Sequence, residues 1–474
     1  MSKRHRHSPT KRELLAENAR LRERIEILEA TIAELKAQLA ALRKDSSTSS
    51  KPPSSDIVKP PKPPLPKGAA KRKRGGQPGH PRHERPLFAP DMVDSVHEYR
   101  PDVCPDCNHT VDPLEREPRI VQQVEIVEKP FRVEEHRAFA GICPKCCKIH
   151  YAPLPEMIEK GGLLGPRLTA QTAYMKAACH MSYSTVQQYF GDVLGVTLSR
   201  GYLAKVLGKV TDALKDPYNG LLDMLPGEAV LNVDETGHKE NGQRFYTWCF
   251  RAQHYTLFRI DPSRSSEVLF DLLGREFAGV LGCDFFSAYR KFMKECDLRV
   301  QFCLAHLIRD LKFLTTLPNK PTAAFGNRLL DEVRALFAII HRRGKMGKNA
   351  FVKALCEQRR VIIDTAIRGA PDTRYARCIA ARFEKYGDAY FEFITTPGLE
   401  PTNNLAEQAI RFVVIDRHIT QGTRGERGRQ WCERIWTVMA TCAIQGRSAY
   451  DYLVDAVNAH LQGLPAPSLL RITA

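Results

Sequence analysis

The sequence predicts a multidomain α+β protein: an N-terminal coiled coil, a small cysteine-bearing ribbon, a helical region, and an α/β core split by an all-helical insertion. Three observations predict it. Leucine recurs at every seventh residue near the N-terminus, two Cys-x-x-Cys pairs follow a Pro/Ser-rich stretch, and two apolar strand-like runs each end in aspartate. At 474 residues the chain is long enough for several domains.

Composition narrows the class. A hydrophobic share of 43% and a charged share of 26% are ordinary for a soluble protein, but a net charge of +17 is not. Excess Lys and Arg favour a polyanionic partner, and nucleic acid is the commonest. A membrane surface is the rival, yet the chain shows no long uncharged apolar run and no signal peptide. Fourteen cysteines without an export signal fit a reducing cytoplasm, with some thiols free for metal.

Residues 1–45 read as a zipper. Leu14, Leu21, Leu28, Leu35 and Leu42 take heptad position d, and Lys11, Asn18, Ile25, Ile32 and Leu39 take position a. Isoleucine at a with leucine at d favours two parallel strands, and one buried Asn fixes register. Glu17 with Arg22 and Arg24 with Glu29 have the spacing of charge pairs across a dimer. Residues 46–87 are a Pro/Ser-rich linker that cannot bury a core. It carries the basic run Lys71, Arg72, Lys73 and Arg74, followed by glycines, a pattern able to track phosphates without sequence preference.

Residues 88–155 hold Cys104-Pro-Asp-Cys107 and Cys143-Pro-Lys-Cys146, with strand-like Ile120 to Val127 between them. Each Cys-x-x-Cys turn offers two thiolates, so Cys104, Cys107, Cys143 and Cys146 suit a tetrahedral structural Zn2+ with no open position. Residues 156–224 read as helical. Ser182 and Ser199 are placed to cap two short helices separated by Gly195, a helix-turn-helix-like pattern that turns Arg200, Tyr202 and Lys205 toward DNA.

Residues 225–312 alternate strands and helices. Ala229-Val-Leu-Asn-Val-Asp-Glu-Thr-Gly237 reads as a buried strand delivering Asp234 to its end. Gln243–Phe250 and Tyr255–Ile260 read as two strands behind it, and a helix follows from Ser265. Gly279-Val-Leu-Gly-Cys-Asp284 repeats the apolar strand ending in aspartate, and Arg299–Cys303 is another strand. This is the element order of a ribonuclease-H-like fold, in which Asp234 and Asp284 sit on neighbouring strands. Residues 313–395 read as an all-helical insertion, and residues 396–474 complete the core. There, a helix carries Glu407 and Arg411. A basic, turn-rich segment runs from Asp416 to Arg429 and includes Arg424, Arg427 and Arg429. Interleaved Gly and Arg suit contact with a phosphate backbone. A final helix is expected from Trp431 to Gln445.

Singly, each of these carboxylates reads as a turn former, a cap or a solvated side chain. Their combination with a basic, zipper-bearing, ribbon-bearing chain points to metal chemistry. Three converging carboxylates can hold two divalent ions about 4 Å apart for phosphodiester cleavage or transfer. Oxygen ligands favour Mg2+ or Mn2+. Glu235 beside Asp234 is the one competitor, and strand alternation turns it to the opposite face.

Asp234-Glu-Thr236, Cys283-Asp284, Cys303-Leu-Ala-His306 and Asn403-Asn-Leu-Ala-Glu407-Gln-Ala-Ile-Arg411 together resemble the DDE transposases of bacterial insertion sequences. Within them the chain is similar to the insertion-sequence-66 family, transposase C type. Ser49-Ser-Lys-Pro-Pro-Ser-Ser-Asp56, Arg74-Gly-Gly-Gln-Pro-Gly-His80, the ribbon and the zipper carry the same resemblance in the same order. It implies that Asp234, Asp284 and Glu407 form a metal-binding catalytic triad, with His306 near it. It also implies double-stranded transposon ends and target as partners, a homodimer or larger assembly, and room for accessory proteins of the same element. After Arg417 the family often shows an aromatic-rich stretch where this chain has Ile419-Thr-Gln-Gly-Thr423. Two other functions fit parts of the pattern: a zipper-dimer DNA-binding regulator with an inactive nuclease-like core, and a nuclease that uses only water.

Overall fold

A computed structural model describes residues 11–42, 87–99, 106, 109–110, 120–124, 126–127, 130–142, 144–145 and 149–470. The chain separates into two compact units, residues 61–136 and the remainder. Within the smaller unit the Gln122 side chain brackets Phe88, accepting its N–H at 2.6 Å and donating to its carbonyl at 3.2 Å. The expected strand from Ile120 to Val127 does not form among its described residues. Val121, Val124, Ile126 and Val127 are well exposed there, so the alternating pattern has no core face to cover.

In the larger unit, α1 (Lys11–Leu42) is one long helix. The d-position Leu14, Leu21, Leu28 and Leu35 and the a-position Ile25, Ile32 and Leu39 stay 49–53% exposed, so the apolar seam is not buried within its own chain. The Leu42 side chain lies outside the described residues. Strands β1 (Ala140–Ile142) and β2 (Ile149–Tyr151) form an antiparallel pair around the second Cys-x-x-Cys turn.

A helical layer follows: α2 (Glu156–Gly161), α3 (Pro166–Ala177), α4 (Tyr183–Leu194), α5 (Arg200–Ala213) and α6 (Lys215–Met224). Both expected serine caps are present. Ser182 Oγ accepts the Thr185 N–H at 3.0 Å and Ser199 Oγ accepts the Tyr202 N–H at 3.1 Å. Gly195 closes α4 in the left-handed conformation (φ 64°).

The core is a five-stranded mixed sheet built from β3 (Val230–Glu240), β4 (Gln243–Arg251), β5 (Thr256–Asp261), β6 (Val280–Cys283) and β7 (Val300–Phe302). The strand order is β5-β4-β3-β6-β7, with β3, β4 and β5 antiparallel and β6 and β7 parallel to β3. Asn241 (φ 49°) and Gly242 (φ 80°) form the two-residue turn of the β3–β4 hairpin, where positive φ matches the strand twist. Strand β6 is buried at every position, as expected of a parallel strand covered on both faces. Helices α7 (Glu267–Leu273) and α8 (Ser287–Glu295) flank β6 in the chain.

After β7 come α9 (Leu304–Thr315), α10 (Lys320–Ile340), α11 (Lys348–Arg368) and α12 (Arg374–Tyr386). The boundary expected at residue 313 therefore falls inside α9, which starts directly after β7 and packs on α10. The insertion is fastened to the sheet by aromatic rings. Phe285, just after β6, lies 5.0 Å from Phe302 of β7 and 5.6 Å from Tyr386 of α12, centroid to centroid. Buried Gln301 of β7 donates to the Tyr390 carbonyl at 3.0 Å and accepts the Phe393 N–H at 2.9 Å.

Helices α13 (Asn404–Thr420), α14 (Glu426–Ile444) and α15 (Ala449–Leu461) complete the core. Helix α14 runs along the edge strand β5 and answers its outward backbone. Thr441 Oγ1, Thr437 Oγ1 and Glu433 Oε1 accept the N–H groups of Thr256, Phe258 and Ile260 at 3.2, 3.1 and 2.8 Å. Tyr218 of α6 donates to the Phe258 carbonyl at 2.9 Å. The spacing of those α14 residues, four apart, keeps them on one helical face.

Helix α13 is longer than the sequence suggests. It continues through Asp416 to Thr420, so the expected turn-rich segment shrinks to Gln421–Gly425. This short link is clamped to the β3–β4 hairpin: Thr423 N–H donates to the Lys239 carbonyl at 2.9 Å and Asn241 N–H to the Thr423 carbonyl at 3.0 Å. Gly422 (φ 94°) backs onto Lys239 so closely that a Cβ would collide with its carbonyl oxygen. Close approach to its own chain, rather than to phosphate, explains this glycine.

Candidate active site

Strand β3 is the central strand, and its alternation sorts the acidic pair to opposite faces. Asn232, Asp234, Thr236 and His238 face α13 and the link after it: Asn232 Nδ2 donates to Asn403 Oδ1 at 3.0 Å, Thr236 Oγ1 accepts from Arg417 at 3.1 Å, and His238 Nε2 meets Thr423 Oγ1 at 3.0 Å. Glu235 turns the other way, where it is fixed by Arg264 at 2.6 Å and by the Tyr289 hydroxyl. Glu235 is thus satisfied by a cation and a phenol, and the expectation that it points away from Asp234 is met.

Asp234 Oδ1 accepts the Glu235 N–H at 2.9 Å. Burial pushes its carboxyl well above the usual range, and the like charges of Glu235, Asp284 and Glu407 add to that push. Those interactions place Asp284 and Glu407 within electrostatic reach of Asp234. Asp284 follows the C-terminal end of β6, and its Oδ1 accepts the Phe286 N–H at 2.9 Å, a turn that aims the carboxyl off the strand end. Burial and then the Glu235 charge push its carboxyl up to about 6, against the pull of His306, the Phe286 N–H and Arg264.

Glu407 sits in the first turn of α13, and the sequence places that turn firmly. Asn403, buried ahead of the helix, donates through Nδ2 to the Val233 carbonyl of β3 at 2.8 Å, and its N–H reaches Cys303 Sγ at 3.1 Å. Asn403 therefore ties α13 to the strand of Asp234 and to the start of α9. From the N-cap of α9 onward, Cys303, His306 and Arg309 recur at three-residue steps. Arg309 donates from NH1 to His306 Nε2 at 3.2 Å and from NH2 to Glu407 Oε2 at 3.4 Å. Because arginine only donates, His306 keeps its proton on Nδ1. That nitrogen faces Glu407 Oε1 at 3.6 Å, longer than a hydrogen bond, and both atoms are buried without a hydrogen-bond partner. Burial lowers the His306 pKa, while the negative charges of Asp284 and Glu407 oppose that and Arg309 reinforces it.

Half-buried Asp234 and Asp284, whose carboxyls are pushed above the usual range, are what a cation would relieve, and the partnerless Glu407 oxygen is a lone pair left over for one. Carboxylate oxygens suit hard divalent ions, although Asp234, Asp284 and Glu407 do not bring a ligand atom each within 4.8 Å of one another. Among the described residues that closeness belongs to Cys303 Sγ, His306 and Glu407, with one ligand atom each within 4.8 Å of one another. Cys303 is a poor ligand for a hard ion: burial pushes its thiol up to about 11.

The other expected site residues divide. Arg411 lies on α13 but is exposed, and Arg309 rather than Arg411 supports Glu407. Arg200 and Lys205 are exposed on α5, whereas the Tyr202 hydroxyl accepts the Leu164 N–H at 3.1 Å and so does not point outward. Arg424 is exposed. Arg427 and Arg429 lie on α14 and are engaged within the chain, with Asp212 at 2.7 Å and with Glu240 at 3.4 Å. Cys104, Cys107, Cys143 and Cys146, and Lys71, Arg72, Lys73 and Arg74, lie outside the described residues.

Sequence reasoning missed Arg309, Arg264 and Asn403. Only the three-residue rhythm Cys303-x-x-His306-x-x-Arg309 could have found the first, because its partner Glu407 is 98 residues away.

Comparison with known proteins sets this geometry in context. Residues 161–430 match the family model described as Transposase IS66 family. Residues 2–86 match a second family, whose function is unknown. An uncharacterized protein, y4qI, of Sinorhizobium fredii (strain NBRC 101917 / NGR234) is 25% identical over 440 residues, covering 84% of this chain and 78% of that protein.

Proposed function

Since the chain belongs to the transposase IS66 family, we propose that it cuts and joins DNA through a DDE mechanism, with Asp234, Asp284 and Glu407 as the triad on a ribonuclease-H-like core. The observation that carries this reading is positional: Asp234 and Asp284 lie just past the paired stretch of the adjacent parallel strands β3 and β6, and Asn403, which opens the Glu407 helix, donates to the Val233 carbonyl beside Asp234. The β5-β4-β3-β6-β7 order supports the ribonuclease-H-like assignment.

In this mechanism the three carboxylates would hold two Mg2+ or Mn2+ ions. Bound there, such ions neutralise charge on a phosphodiester and ease loss of a proton from the attacking oxygen. The chain's own residues prepare that arrangement. Asn403 fixes the first turn of α13, and Arg309 holds one Glu407 oxygen while His306 borders the other. Arg264 and Tyr289 keep Glu235 on the far face, so it does not compete. Attack by water on a phosphodiester breaks its P–O3′ bond, leaving a 3′-hydroxyl and a 5′-phosphate; attack by that 3′-hydroxyl on a target phosphodiester forms a new P–O3′ bond and expels the target's own 3′-hydroxyl, so one site serves both steps.

The remaining modules support DNA handling in the same reading. The exposed seam of α1 suits pairing with a second copy, so the working unit is a dimer or larger. Four thiolates from Cys104, Cys107, Cys143 and Cys146 suit one structural Zn2+. Exposed Arg200, Lys205 and Arg424, with Lys71, Arg72, Lys73 and Arg74, offer phosphate contacts. Among the described residues no helix is long and apolar enough to cross a membrane.

The test uses full-length protein, duplex DNA carrying the ends of its element, and Mg2+. Cleaved and strand-transferred products are expected from the wild type, and neither from Asp284→Asn or Glu407→Gln. Full activity in Asp284→Asn overturns the assignment.

A further inference from the structure

A cavity of about 380 Å3 opens between α8 of the core and α12 of the insertion, lined by Ser287, Arg290, Lys291, Lys294, Glu295 and Tyr386. It begins three residues beyond Asp284, at the first residue of α8. Three cations face one carboxylate there. That carboxylate, Glu295, is already drawn on by Arg275 at 3.5 Å and by Lys291 at 3.8 Å, and Lys291 also reaches Glu267 at 3.3 Å. Among the described residues, Arg290 and Lys294 have no carboxylate partner.

Arg290 is the telling residue. Its guanidinium lies 4.6 Å from the Phe285 ring centre, which holds it in place, yet its Nε is buried without a hydrogen-bond partner. Arg382 approaches the same ring at 4.3 Å but is committed to Asp310 at 2.8 Å. One guanidinium on Phe285 is therefore spent on the fold, and the other has no carboxylate to hold it among the described residues. Phe285 itself follows Asp284 directly, so the Arg290 cation is braced against the residue next to a triad carboxylate.

We propose that this cavity is a phosphate-binding subsite that grips the backbone of the DNA strand on its way to the carboxylate cluster, with Arg290 and Lys294 as its ligands. The inference rests on the proposed DNA chemistry, which identifies the polyanion. A guanidinium braced on Phe285 with no carboxylate partner among the described residues suits a phosphodiester oxygen, Lys294 adds charge, and the Ser287 hydroxyl at the start of α8 adds a neutral donor. The walls come from both core and insertion, so the subsite gives the insertion a role beside the site.

The experiment measures binding of fluorescent duplex by anisotropy across a salt series, without Mg2+, in the Asp284→Asn background. Reading it there keeps it independent of catalysis: failed cleavage by the wild type would sink the proposed function without touching this result. Each phosphate contact contributes about 0.9 to the slope of log affinity against log salt. Arg290→Gln with Lys294→Gln is expected to lower that slope by roughly 2 and to weaken binding. Arg334→Gln with Arg368→Gln, a charge-matched pair elsewhere on the surface, is expected to leave the slope in place. An unchanged slope in the first pair, or an equal drop in both, overturns the proposal. A parallel thermal titration with inorganic phosphate separates the sources. Stabilisation by phosphate that Arg290→Gln abolishes, with DNA binding untouched, assigns the cavity to a free anion and overturns the DNA role. Unfolding curves of each variant establish that it is folded.

Discussion

Replacing Asp284 by Asn should make the metal-free protein more stable, not less. In the folded chain burial and Glu235 raise this carboxyl from 3.8 to about 6, which corresponds to about 3 kcal/mol of opposition to its ionised form at neutral pH. Asn removes that charge and keeps the turn, because its Oδ1 can still accept the Phe286 N–H held at 2.9 Å in the wild type. The new amide N–H2 has no evident acceptor and returns about 1 kcal/mol of the gain. The expected net is about 2 kcal/mol, or a few degrees in melting temperature. The pH dependence carries a definite sign. A raised carboxyl holds its proton to higher pH in the folded than in the unfolded chain, so wild-type stability should rise as pH falls through about 6 toward 4. The variant should lack this contribution. Added Mg2+ should reverse the ranking by stabilising the wild type more than the variant. Thermal melts at about pH 8 and about pH 5, with and without Mg2+, decide it. A metal-free Asp284→Asn protein that melts below the wild type at about pH 8, or equal Mg2+ shifts in both proteins, refutes the reasoning.

Three further outcomes are expected. Thr437→Val strands the Phe258 N–H and should cost about 1–3 kcal/mol in urea unfolding with little change in the denaturant slope. Arg309→Gln loosens Glu407 while sparing all three carboxylates, so it should raise the Mg2+ concentration needed for half-maximal cleavage and leave duplex affinity unchanged; a wild-type Mg2+ response would remove Arg309 from the site. If the exposed seam of α1 pairs with a second copy, the wild type should sediment as a dimer and Leu21→Lys with Leu28→Lys as a monomer, and a monomeric wild type would retire the zipper.

Much of the core was legible because its signals are local. The runs before Asp234 and Asp284 are apolar at the length of a strand and end in a turn-forming carboxylate, and Ser182 and Ser199 announce the helices they cap. What escaped depends on distant partners. Gly and Arg after Asp416 read as loop chemistry, yet Asp416 is buried in helix α13, accepting from Trp436 at 3.2 Å and meeting His180 at 3.1 Å. Nothing near Asp416 in the chain signals either partner. Ile120 to Val127 shows the opposite failure: the alternation is present, but its described residues are exposed and build no strand. The support of Glu407 by Arg309 was hidden because helix α9 and helix α13 meet only after the whole insertion has been threaded between them.

The threonines and glutamate of α14 have a consequence beyond the stability of one helix. An open sheet margin invites a stranger's strand, in the way chains recruit one another into ribbons and fibres. Here that invitation is withdrawn on the β5 side, since its outward amides are already answered from within. On that side the central sheet is a closed platform, and another chain reaching it would meet a helix rather than a strand edge.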